Sequence, residues 1–158
     1  MSGQEHRTWE FYGFESRAEG RPVQDWFDNL PVEAQEEISD LVAHLRVRVA
    51  SQWRRPEFDP LDGEGGISEI RPTNIRSEEG SYTYRIYGWR GYPHERSYTF
   101  LHGTRKGEKN DREGKDFAKW RLDQIAREQF ERGRPAAHRF SFEGKPDSEV
   151  RPGTGRPI

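Results

Sequence analysis

A chain of 158 residues with 30% hydrophobic content can bury one modest core but not two. With no cysteine, it has no disulfide framework, thiolate metal site or cysteine nucleophile. The net charge of −2 excludes a uniformly basic binder, yet the charge is uneven: Glu10 to Glu64 holds six basic and thirteen acidic residues, while Ser81 to Asn110 holds six basic and two acidic. Local potential rather than net charge steers a polyanion.

The N-terminal MSGQEHRTWEFYGFESR lacks the apolar run of a signal peptide, and no later stretch approaches a membrane span, so a cytoplasmic protein is expected. The five histidines are scattered without ligand spacing, and neither HExxH nor a phosphate loop is present. No metal or other cofactor is expected.

Thr8 to Phe14, TWEFYGF, is aromatic and alternating and predicts a first strand. Pro22 then opens a helix with Val23, Trp26, Phe27 and Leu30 at helical spacing. Pro31 starts a second helix whose stripe is Ala34, Ile38, Leu41, Val42, Leu45 and Val49. Glu33, Glu36, Glu37 and Asp40 cluster in its first turns, where the helix dipole favours them. RRPEFDPLDGEGG, from Arg54 to Gly66, carries two prolines and three glycines and reads as a loop.

Ile67 to Arg71 predicts a short strand with Glu69 and Arg71 on one face. The next runs to Arg90, with Tyr82, Tyr84 and Ile86 on one face and Arg85, Tyr87 and Trp89 on the other. The turn Gly91 to His94 makes it a hairpin with Glu95 to His102, followed by the basic loop GTRKGEKND. Asp111 can cap a last helix bearing Phe117, Ala118, Leu122, Ile125, Ala126 and Phe130. From Arg132 the chain turns rich in Arg, Pro and Gly, so residues 1–131 are expected to form the domain and 132–158 a flexible tail, with HRFSFEG a possible edge strand.

The expected fold is α+β: a small, mainly antiparallel sheet of about four strands, with an N-terminal helical hairpin and a C-terminal helix packed on one face. The other face would be left open as a groove for an extended ligand. There Arg71, Arg85, Lys106 and Lys109 would hold phosphates, Arg90 and Arg105 would add charge, and Tyr87 and Trp89 would stack bases. RNA is the implied ligand.

At these residues the chain resembles the RelE/ParE superfamily of bacterial toxins, in particular its phage-derived HigB-like branch. PVQDWFDNLP, Pro22 to Pro31, is similar to that branch's PVxxWLxxLP; ISEIR, ending at Arg71, to LWELR; Tyr84, Arg85 and Ile86 to YRV; and FLHGTRKGEK, Phe100 to Lys109, to LLHGFxKK with a following lysine. The likeness spans roughly Trp9 to Phe130. It departs in KGEKND, where the branch has KKTxKTP, and in overall charge, as the branch is basic. The resemblance implies the toxin of a type II toxin–antitoxin module, acting as an endonuclease on mRNA in the ribosomal A site. It also implies a cognate antitoxin, expected as a small helix-turn-helix protein.

Such cleavage is metal-free, because the RNA 2′-hydroxyl can attack the adjacent phosphate once its proton is removed. Arg71 and Arg85 would clamp the phosphate oxygens, each donor contributing about 3 kcal/mol. His102, with an ordinary pKa of about 6.5, or Lys106 or Lys109, with neighbouring cations, would exchange protons. Plainer readings stand beside these: Arg85 pairing with Glu69 across the sheet, His102 packed on the core side with Tyr98 and Phe100, and the lysines forming a solvated loop. The same fold could also act without catalysis, as a gyrase-binding toxin or a degenerate binding module.

Overall fold

The computed structural model describes residues 8–72, 83–106 and 111–143. The chain begins with β1 (Glu10–Phe14), passes through α1 (Pro22–Asp28) and α2 (Val32–Arg46), then forms β2 (Phe58–Pro60), β3 (Ser68–Ile70), β4 (Thr83–Arg90) and β5 (Ser97–Lys106). It ends with α3 (Arg112–Ile125), a π-helical turn over Ala126–Glu131, and β6 (Ala137–Arg139). The six strands make one mixed sheet in the order β2-β3-β4-β5-β1-β6. Only β1 with β5 is parallel; the other neighbours are antiparallel.

Two apolar layers form, one on each side of the sheet. On the hairpin side, Ile38, Val42 and Leu45 of α2 and Phe27 of α1 pack on Phe11, Ile86, Tyr98 and Phe100. Each such side chain contributes about 1.5–3 kcal/mol when fully buried. The indoles pin the end of α2: Trp53 Nε1 donates at 2.9 Å to the Leu45 carbonyl, which also accepts from the Arg48 amide, and Trp9 Nε1 donates at 3.0 Å to the Arg48 carbonyl just beyond the helix. On the other side, Ala118 and Ile125 of α3 pack on Phe14, Ile67, Tyr87 and Leu101.

The expected fold is therefore corrected in three respects. The sheet has six strands, not about four; the helical hairpin is not N-terminal but follows β1, the strand expected over Thr8 to Phe14; and helices lie on both faces rather than one. β2 and β6, of three residues each, are too short for a period-2 signal, and β2 lies within the Pro- and Gly-rich stretch. The second apolar layer comes from Phe14, Tyr87 and Leu101, which need a cover as much as the first layer does.

The chain does not leave the domain at Glu131. β6 pairs with β1 through Tyr12–Arg139, Gly13–His138 and Phe14–Ala137, and Ala136 is buried. Beyond it, the Gln24 side chain donates to the Ser141 carbonyl at 2.8 Å and accepts from the Ser141 amide at 2.9 Å, pairing with that backbone much as a strand would. Residues 144–158 of the expected tail lie outside the described residues. No helix among the described residues is long and apolar enough to cross a membrane.

Candidate nucleic-acid interface

β3 and β4 bring the two predicted arginines together. Ile70 pairs with Ile86, so Arg71, the next residue, stands beside Arg85. Side chains alternate along a strand, which puts Glu69, Arg85 and Tyr87 on the side that carries α3. Arg71 Nε lies 3.6 Å from Glu69 Oε2. Glu69 is only 3% exposed; burial pushes its carboxyl above the usual range, opposed by the nearby charges of Arg71 and Arg85. Arg71 remains half-buried, whereas Arg85 is 5% exposed.

The N-terminus of α3 closes over this cluster. Asp111 accepts from the Gly114 amide at 3.1 Å as its cap and from the Tyr87 hydroxyl at 3.0 Å. Burial drives the Tyr87 hydroxyl pKa well up, so it stays protonated, and the ring offers no free face for a base. Glu64 receives both Arg112 terminal nitrogens, at 2.9 and 2.7 Å, and lies 3.4 Å from Lys119 Nζ, fixing the loop before β3 against α3. That arrangement holds the Glu64 carboxyl down at about 2, chiefly through the Arg112 hydrogen bond.

A β-bulge carries His102 to the same side. Tyr87 pairs with His102 but Gly88 with Phe100, so Leu101 is an extra residue in β5. The slip reverses the parity that places His102 with Tyr98 and Phe100, and its ring lies instead between Tyr87 at 6.4 Å and Phe117 at 5.0 Å, nearly parallel to both. Arg121 Nη1 donates to Nδ1 at 3.2 Å, which leaves the hydrogen on Nε2. Burial, then the Arg121 charge, lowers the His102 pKa to about 4, so the imidazole is neutral at pH 7.

The remaining predicted residues scatter. Trp89 is on the α3 side but further along, stacked on Tyr92 at 5.9 Å. Arg90 lies on the hairpin side, over the rings of Trp53 and Phe58. Arg105 pairs in register with Tyr84, is exposed, and shares the side on which the Trp26 ring covers Gly103. Lys106 ends β5 opposite Thr83, and its side chain, like all of Lys109, lies outside the described residues.

Sequence reasoning missed two participants. Arg121, 7% exposed, donates to the Leu101 carbonyl at 2.8 Å and pairs with Glu19 at 2.7 Å. Its place on the buried stripe, between Ala118 and Ile125, was the only signal, and its charge concealed it. Asp111 was visible as a cap but not as the acceptor for Tyr87. Chemically, the cluster can offer one partly exposed guanidinium, Arg71, backed by the buried Arg85 and beside the buried Glu69 carboxyl. Compared with models of known protein families and with curated proteins, the chain matches none.

Proposed function

We propose that the chain is the RNA-directed toxin of a type II toxin–antitoxin module, a ribosome-dependent mRNA endonuclease of the cytoplasm neutralised by a cognate antitoxin. The observation that carries the reading is the adjacency of Arg71 and Arg85 on neighbouring strands, at the end of the sheet where β5 finishes with Lys106. RNA would approach that end, because α3 covers the face. In the reaction the 2′-oxygen attacks phosphorus, the bond to the 5′-oxygen breaks, and a cyclic phosphate and a 5′-hydroxyl result. Arg71 would hold the phosphate oxygens, while Arg85 acts from behind; Lys106 and Lys109 would balance the added charge and exchange protons. His102 is neutral at pH 7 with its one lone-pair nitrogen, Nδ1, engaged by Arg121, so proton exchange would fall to the lysines unless that contact opens.

One observation favours a second reading, a binding protein that does not cut. Arg85 is 5% exposed with Glu69 and Tyr87 beside it, and His102 is packed on Phe117. The two are separated by induced expression in bacteria. Cleavage predicts growth arrest with messages cut at ribosome-occupied codons, and Arg71→Ala lowering the cutting about 10²–10³-fold. Arrest with intact messages rejects cleavage, gyrase inhibition in vitro would then favour the gyrase-binding form, and no growth effect points to a binding module.

A further inference from the structure

The outer face of α3 carries an aromatic surface that the fold leaves uncovered. The helix buries Gly114, Ala118, Arg121 and Ile125, yet Phe117 is 42% exposed and Trp120 47% exposed. Apolar side chains scattered singly over a surface need no explanation, but these two stand about one turn apart and line a single depression of about 630 Å³ together with Arg112, Glu113 and Asp116. Phe117 is held in place, its ring nearly parallel to that of His102 at 5.0 Å and 5.4 Å from the buried Arg121 guanidinium. The aromatic wall is therefore fixed before any ligand arrives.

Charge decides what the depression can receive. Arg112 gives both terminal nitrogens to Glu64, and Lys119 lies 3.4 Å from the same carboxylate, so the cations beside the aromatic pair already have a partner. Glu113 and Asp116 line the depression, and Asp123 follows Trp120 by three residues on the same stripe of the helix. Asp116 shares Arg112 at 3.0 Å, whereas the exposed Asp123 makes no ion pair among the described residues. A polynucleotide would set its phosphates against these carboxylates, and a second copy docking through the same face would set the carboxylates against each other. A cation is favoured twice, by the negative faces of the two rings and by the acids beside them. We infer that this depression docks a basic protein segment, which lays an arginine or lysine side chain along Trp120 and Phe117 with its charge towards Asp116 and Asp123. The inference concerns the outer side of α3 and does not rest on RNA cleavage.

The test is equilibrium binding of the full chain to a labelled synthetic helical peptide of leucine and arginine, with a leucine–glutamate peptide of the same pattern and a mixed-sequence RNA as comparisons. The arginine peptide should bind and the glutamate peptide should not. Trp120→Ala should weaken binding about tenfold, and Trp120→Phe should keep most of it. Asp116→Asn with Asp123→Asn should weaken binding and flatten its dependence on salt, while Glu33→Gln with Glu36→Gln, which removes as many exposed charges from α2, should leave it unchanged. Unaltered affinity in Trp120→Ala would overturn the inference, as would an equal loss in the two charge variants. So would tighter binding of the glutamate peptide or of RNA than of the arginine peptide, or a wild-type dimer that Trp120→Ala dissolves. The paired asparagines, both on the surface, decide the matter should Trp120→Ala not fold. Since no cutting is measured, the outcome is separate from that of the toxin reading.

Discussion

At Gly103 a single hydrogen is what lets α1 approach the sheet. The Trp26 ring lies where a Cβ would stand, and Gly88 does the same for the Tyr98 ring. Gly103→Ala should destabilise the fold by about 1–3 kcal/mol, read as a lower urea midpoint, because the new methyl displaces the Trp26 ring from its seat on the sheet. His102 makes a prediction of a different kind. Its pKa is about 4 in the fold against about 6.5 in an unfolded chain. Above pH 6.5 it is neutral in both states. As pH falls from about 6.5 to about 4 the unfolded chain binds the proton first, so stability declines through that window by about 2–3 kcal/mol, allowing for its partial exposure. His102→Gln should flatten that part of the stability profile, measured as urea midpoints at several pH values. His138, lowered in the same direction by burial, should keep a residual slope.

At the scale of elements, α3 is tied down by polar contacts as well as by its apolar stripe. Arg121 joins it to β5 through the Leu101 carbonyl and to the turn after β1 through Glu19. Removing the buried partner of this partly buried pair strands both Glu19 and the Leu101 carbonyl: Arg121→Ala should cost about 2–4 kcal/mol, and adding Glu19→Ala should recover part of it, as a double-mutant cycle in denaturant would show. Asp111→Ala removes the helix cap and the Tyr87 acceptor together and should cost about 2–3 kcal/mol by the same measurement. These elements were legible to different degrees. Proline at the start of α1, the apolar stripe of α2, the Asp111 cap and the alternation of Tyr84, Arg85, Ile86 and Tyr87 are local patterns, and local patterns survive in a sequence. The bulge at Leu101 left no such trace, so the side on which His102 lies could not be read.

For the whole molecule, what the sequence hid is what covers what. Amphipathic periodicity says that α3 has an apolar face; it does not say which side of the sheet will receive it. Leu101, Phe14 and Tyr87 decide that, and they act together only after a bulge and a parallel pairing have formed. The adjacency of Arg71 and Arg85, by contrast, followed from two strand phases and a hairpin. The parallel pairing has a further consequence for how the protein comes into being. β1, which precedes the other described elements, lies between β5 and β6, with Glu10 beside Ser97 and Tyr12 beside Arg139. A chain emerging from its own ribosome holds that strand in waiting until β5 and β6 have been synthesised, so the sheet matures late, through contacts distant in sequence. Chains cut short before β5 would leave β1 covered by the helical hairpin but with both of its backbone edges unpaired.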